Sequence, residues 1–172
     1  MAGNIWVLAE QWRGAISEIT YELLALGAEL SAAAGAPLEA LLLGHNARAL
    51  ADTLGTADTV LYADHPALAE PTPEPYAEAA AQLVAERKPL CVLVPLTNVS
   101  LGIGSLLAER LNAPGVNFCR DVRVSDGRLE IQCVLYGGKM QATVTPKSTP
   151  AILGIWPGAR PAEQVHRPPQ RV

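Results

Sequence analysis

Up to Leu111 the chain alternates short apolar runs with segments of helical periodicity, and this alternation restricts the fold more than any other feature. A continuous apolar run bounded by turn residues suits a strand buried on both faces. Strands are predicted near Ile5–Leu8, Leu38–Leu43, Thr59–Tyr62 and Leu90–Pro95. In the segment 14–35, Ile16, Ile19, Leu23, Leu26 and Leu30 recur at helical spacing. Glu18, Glu22 and Glu29 fall on other faces, and Gly35 ends the helix. Further helices are predicted over 46–55 with Asn46 as N-cap, over 74–89 with Pro89 as the stop, and over 101–114. The segment HPALAEPTPEP (65–75) reads as a rigid proline-rich surface link. Alternation of this kind gives an α/β fold with a parallel sheet, helices on both faces and right-handed crossovers.

The second half changes character. From Val116 onward apolar and polar residues alternate, and SDGR (125–128) and YGGK (136–139) are hairpin turn signals. Antiparallel strands should therefore extend the parallel core, and PAILGIWPGA (150–159) adds a final strand. The expected organisation is one domain over residues 1–160 and a proline-rich polar tail over 161–172, exposed or docked on a partner.

Composition excludes several classes of function. The 172 residues carry a formal net charge of −4 and no basic run, so nucleic acid is not the expected partner. No apolar stretch reaches the length of a membrane span, and the N-terminus lacks the basic flank of a signal peptide; a cytoplasmic protein is expected. Cys91, Cys119 and Cys133 form no Cys-x-x-Cys pair, and Cys119 reads as a structural thiol. His45, His65 and His166 lie after a strand, in a loop and in the tail without metal-ligand spacing, so no metal site is expected and solvated loop histidines are. No Gly-x-Ser-x-Gly elbow is present either, and no catalytic residues are assigned.

VPLTNVSLGIGSLLAERL (94–111) passes from strand to helix through a polar, glycine-containing bend. GIGSLL imitates a dinucleotide fingerprint, but Leu107 stands at the third glycine position, and no Walker lysine follows. Two readings stand. In one, the helix N-terminus and the polar groups of Thr97, Asn98 and Ser100 hold an anion. In the other, which the residues favour, Asn98 or Ser100 caps the helix and the glycines permit close packing. Any small anionic or nucleotide ligand, AMP among them, should lie at the carboxyl ends of the parallel strands. Its lining would be Ala9, Glu10, Gly44, Thr97, Asn98, Ser100, Gly102, Gly104 and Ser105, with backbone N–H groups of Gly102 to Ser105 on the phosphate.

A resemblance joins these segments. VLAEQWRGAISEITYELLALGAEL, ALLLGH, ADTVLYADHPAL with PEPYAEAAAQLV, VLVPLTNVSLGIGSLLAERLNAP, CRDV, YGGKMQATV and WPGA follow one another as in the N-terminal domain of electron-transfer flavoprotein α subunits. The chain resembles that domain from Ile5 to about Arg160. The resemblance implies a Rossmann-like sheet extended by antiparallel strands. It also implies electron transfer on FAD between dehydrogenases and a quinone reductase or another acceptor, by an α subunit paired with a β subunit.

The family's second α-subunit domain, which supplies most FAD contacts, is expected to be missing from this chain. Ile103 stands where Arg or Lys is usual, Lys139 where Asn is usual, and Trp156 where Arg is common. The expectation is an α-like subunit that works with a β-like partner or a separate flavin domain and does not hold FAD tightly alone. The alternatives are a stand-alone adenine-nucleotide-binding module and a ligand-free scaffold. For association, by homodimer or heterodimer, Trp156, Tyr136 and Val134 are the expected apolar face, with ordinary core packing as the competing role.

Overall fold

The computed structural model describes residues 3–162 and 169–172. Its strands are β1 Ile5–Ala9, β2 Gln11–Trp12, β3 Ala15–Ile16, β4 Leu38–Gly44, β5 Thr59–Asp64, β6 Cys91–Pro95, β7 Gly115–Ser125, β8 Arg128–Leu135, β9 Met140–Val144 and β10 Ala151–Ile155. The helices are α1 Glu18–Ala34, α2 Pro73–Arg87 and α3 Ile103–Arg110. Eight strands form one sheet in the order β5-β4-β1-β6-β10-β7-β8-β9. Pairing is parallel from β5 to β7 and antiparallel from β7 to β9.

Every residue of β1, β4, β6 and β10 is buried, as a sheet covered on both faces requires. Successive side chains of β1 enter opposite layers. Ile5, Val7 and Ala9 pack with Leu23, Leu26 and Leu30 of α1, whereas Trp6 and Leu8 pack with Tyr76 and Ala80 of α2 and with Ile103 and Leu107 of α3. The mixed sheet and parallel core expected from the sequence are thus present.

Several local expectations are corrected. The segment 46–55 is not an α-helix; a 3-10 helix spans Arg48–Thr53. Asn46 does not cap it. Its backbone is left-handed (φ 53°) and its N–H donates to Asp64 Oδ1 at 3.1 Å. Asn tolerates that conformation better than most residues, and a segment of six residues gains little from helix propagation. Ile16 lies in the β2–β3 hairpin rather than in a helix, because Ser17 N–H donates to Glu10 O and delays the start of α1 to Glu18. Gly35 does end α1, in the left-handed conformation. The 74–89 segment closes one residue earlier than Pro89 suggests, with Lys88 left-handed after Arg87. In the tail, His166 and the segment 163–168 lie outside the described residues, while Arg171 forms a parallel bridge with Thr59.

The final strand expected at 150–159 is present, and the structure gives it its place: β10 is inserted between β6 and β7, parallel to both. β7 then bends at two register shifts, one opposite Leu153–Ile155 and one between Cys119 and Asp121. The bend returns Val122 of β7, with Leu129 and Ile131 of β8, to the same core layer as α1. Where β10 meets β7, Gly154 leaves space for Asn117. A Cβ at Gly154 would overlap Asn117 Oδ1 and lie 3.3 Å from its Cγ. Gly154→Ala should therefore destabilise the fold by about 1–3 kcal/mol through overpacking. Asn117→Ala in the same chain should recover part of that loss, as read from urea midpoints of the two single variants and the double variant.

Candidate functional site

The chain leaves β1 towards β4 and β5 on one side of the sheet, while β6 and β10 lie on the other. The carboxyl ends of β1 and β6 therefore flank a topological switch point, where open α/β sheets form their ligand crevice. Here that place holds a carboxylate of the chain itself. Glu10 follows β1 directly and is only 4% exposed. Its Oε2 accepts hydrogen bonds from Ser100 Oγ at 2.5 Å and from Thr97 Oγ1. Thr97 Oγ1 in turn accepts from the N–H groups of Val99 and Ser100 at 3.1 and 3.2 Å. Behind Glu10, its N–H donates to Thr20 Oγ1 at 2.9 Å, and its carbonyl accepts from Thr20 Oγ1 and from Ser17 N–H. One residue thus clamps the end of β1, the first turn of α1 and the β6–α3 loop together.

The residues predicted for this crevice divide into groups. Glu10, Thr97 and Ser100 meet, as just described. Ala9 and Gly44 are buried in the sheet, and a Cβ at Gly44 would lie 2.7 Å from Ala47 Cβ. Asn98 turns outward into a separate groove. Gly104 rests on the sheet, where a Cβ would lie 3.5 Å from Val94 Cγ1 and 3.8 Å from Ile152 Cγ2. Ser105 is exposed on another flank of α3 and accepts from Asn117 Nδ2 at 3.2 Å, in a polar cleft of about 470 Å³ with Asn112 and Gly115. Neither Asn98 nor Ser100 caps α3. Gly102 stands at the N-cap with φ 93°, a conformation that favours glycine, and no side chain caps the helix. Ile103 N–H donates instead to the Ser100 carbonyl at 3.2 Å.

The outer face of the same loop forms what sequence reasoning did not see. Leu96, Thr97, Asn98, Leu101, Phe118, Trp156 and Pro157 line a groove of about 450 Å³. Leu101 is 61% exposed, Phe118 44% and Trp156 38%. The Phe118 and Trp156 rings lie 5.3 Å apart and are tilted by 47°. Phe118 sits in the β7 bulge with φ 58°, strained for a bulky residue, and the bulge presents its ring to solvent. Such strain costs about 1–3 kcal/mol and clusters at functional sites. Of the apolar face expected from sequence, Trp156 and Tyr136 are exposed and Val134 is half-buried on β8.

Beyond Trp156 the chain is latched to α1. Glu22 Oε2 accepts from the N–H groups of Gly158 and Ala159 at 2.6 and 3.1 Å. Arg160 forks onto Glu29 at 2.8–3.0 Å and reaches Asp121 Oδ1 at 2.8 Å, while Arg123 Nε holds Asp121 Oδ2 at 2.7 Å. Burial works to raise the Asp121 carboxyl. The hydrogen bonds from Arg160 and Arg123 and their charges outweigh it and hold the group below the usual carboxylate range.

Among the described residues the histidines build no centre. His45 Nδ1 lies 3.0 Å from Asp64 Oδ1, and His65 Nδ1 accepts from Ala67 N–H. Among the described residues no group of three His, Cys, Asp or Glu is placed to hold a metal. Burial pushes the Cys91 and Cys119 thiols up to about 12. No described helix is long and apolar enough to cross a membrane.

Two measurements check this geometry. Glu10→Ala leaves the Thr97 and Ser100 hydroxyls without their acceptor and should cost about 1–3 kcal/mol of unfolding free energy. Glu10→Gln, which keeps an acceptor oxygen, should cost less; equal stability of all three proteins would show that the clamp contributes nothing. The second concerns pH. A carboxyl depressed in the folded state stabilises it above the unfolded value near about 3.9, and that stabilisation is lost as pH falls through the folded value. The melting-temperature gap between wild type and Asp121→Asn should therefore be full at pH 7 and close in the acid range below the ordinary Asp value.

The chain was compared with known proteins. Residues 5–171 match the family model of the electron transfer flavoprotein domain. Protein FixB of Clostridium saccharobutylicum is 34% identical over 159 residues, which cover 90% of this chain and 48% of the relative. The electron transfer flavoprotein subunit alpha of Clostridium acetobutylicum is 34% identical over 145 residues, covering 82% of this chain and 43% of the relative. Acryloyl-CoA reductase electron transfer subunit beta of Anaerotignum propionicum is 28% identical over 182 residues, covering 90% and 50%. The chain spans about half the length of the curated relatives it matches. With a sheet of the expected composition and a match across residues 5–171, the chain belongs to the electron transfer flavoprotein domain family.

Proposed function

We propose that this chain is an electron-transfer flavoprotein α-like component that supports FAD-mediated electron transfer through a partner, a β-like subunit or a separate flavin domain, in the cytoplasm. The observation that carries the reading is a pairing at one edge of the sheet. The crevice at the switch point is filled by the Glu10 carboxylate, while an aromatic groove stands open beside it. FAD and AMP both bring phosphate, and the crevice offers phosphate a buried carboxylate in place of a cation. At α3's N-terminus stands Ile103, fully buried. The crevice therefore does not fit a dinucleotide, and this chain's share of the work is to dock and orient. The same mismatch counts against a stand-alone adenine-nucleotide module.

The Phe118–Trp156 pair with Leu101 suits docking. Aromatic side chains carry much of the energy of protein interfaces, and the β7 bulge holds Phe118 beside Trp156 at a cost in backbone strain. The Glu10 clamp fixes the inner face of the loop whose outer face lines this groove, so the docking surface is rigid before it meets its partner. A second copy of the chain is the competing occupant.

The test is co-expression with a β-like electron-transfer flavoprotein subunit. The isolated chain should lack stoichiometric flavin absorbance, and the co-purified complex should be yellow. Trp156→Ala with Phe118→Ala should weaken association at least about tenfold while leaving the fold intact by circular dichroism, since interface anchors exceed about 1.4 kcal/mol each. One FAD per isolated monomer, or a strict monomer with no affinity for the β-like subunit in sedimentation, overturns the reading.

A further inference from the structure

Cys119 of β7 and Cys133 of β8 are direct partners in the antiparallel register. The Cys119 carbonyl accepts from Trp156 N–H at 2.9 Å, on the β10 side, and its thiol donates to the Val116 carbonyl at 3.2 Å. Directly opposed residues of an antiparallel pair have Cα atoms about 4.5–5.5 Å apart, within the range of about 4.4–6.8 Å that disulfides span. Both side chains are buried, and the charge of one thiol is felt by the other. Cys91 has no such partner: it lies on β6, separated from β7 by β10.

We propose that Cys119 and Cys133 are a cross-strand oxidation site that closes to a disulfide on the strand that carries Phe118. The oxidant is a low-molecular-weight disulfide, R–S–S–R. Cys133, 4% exposed where Cys119 is fully buried, is the attacking thiol. Its thiolate attacks one sulfur, forming Cys133–S–S–R and releasing RS⁻, which takes up the proton Cys133 has lost. Cys119 then displaces the second RS⁻ and passes it its own proton. The two cysteines lose two electrons and two protons between them, and R–S–S–R is reduced to two RSH. Burial disfavours the Cys119 thiolate and makes it a poor first nucleophile; the second step is driven by proximity, because the mixed disulfide on Cys133 stands directly opposite Cys119. Once closed, the bond ties β8 to the residue that follows Phe118 and that holds Trp156 by its carbonyl, so the redox state of the pair bears directly on the groove.

The experiment treats the folded full chain with glutathione disulfide, alkylates free thiols under denaturing conditions and maps peptides by mass spectrometry. The expected result is one Cys119–Cys133 linkage per chain, a loss of two hydrogens, with Cys91 alkylated. Cys133→Ala should abolish the linkage, and Cys119→Ala should leave Cys133 carrying one glutathione. Three free thiols after prolonged oxidation of the folded protein, or any linkage through Cys91, overturns the proposal. An unmodified Cys133 in folded Cys119→Ala also overturns it, because the assigned attacking thiol would then be inert.

Discussion

The carboxylate of Glu10 has lost nearly all of its water, and two hydroxyls replace it. A buried charge without such partners is costly, so the positions of Thr97 and Ser100 are tied to that of Glu10. The tie has structural reach because of where Glu10 sits. β1 is in the middle of the parallel sheet, and its carboxyl end is where the connections diverge. The loop after β6 must close over that point, and the carboxylate decides how it closes. The nucleotide-like GIGS segment then begins α3 by packing against strands rather than by opening towards a phosphate: Gly104 lies on Val94 and Ile152.

The second determinant is the insertion of β10 between β6 and β7. It brings Trp156 to the carboxyl edge, beside a strand that has to bulge to stay in register. The bulge turns Phe118 outward against Trp156, and Gly154 gives Asn117 the room the bulge needs. Arg160, Glu22, Glu29 and Asp121 then hold the segment after Trp156 on α1 and β7. Arg160 is partly buried between two carboxylates, so this latch is a small network rather than a single exposed ion pair of little worth.

These features give the proposed role a physical form. On the proposed reading, a domain that spans about half the length of its relatives, with its sheet-edge crevice filled from within, binds its partner on the outside of the fold. The groove beside the crevice is uncharged and aromatic-walled, and its inner support is a clamp that needs no ligand to set it. The proposed oxidation site includes Cys119, the residue that follows Phe118, so the proposed covalent control sits on the strand that carries part of the proposed docking surface.

The parallel core, its helices and the turns after β7 and β8 were legible in the residues alone, because buried strands and amphipathic helices leave periodic signals that burial enforces everywhere along them. Glu10, Thr97 and Ser100 were legible as neighbours of a crevice, since the fold class places strand ends together. That they satisfy one another was not, because hydrogen bonds between positions 10, 97 and 100 depend on the depth and angle of each strand. The short 3-10 helix at 48–53 was misread because the residues leading into it are held by partners distant in sequence: Asn46 N–H donates to Asp64 Oδ1 and Ala47 N–H to the Tyr62 hydroxyl. The central place of β10 carries no local signature: an apolar run of five residues looks the same at an edge or in the middle of a sheet. Phe118 was invisible for the same reason. Its positive φ is imposed by the mismatch between β10 and β7, and only when those two strands are set side by side does an aromatic residue have to turn outward.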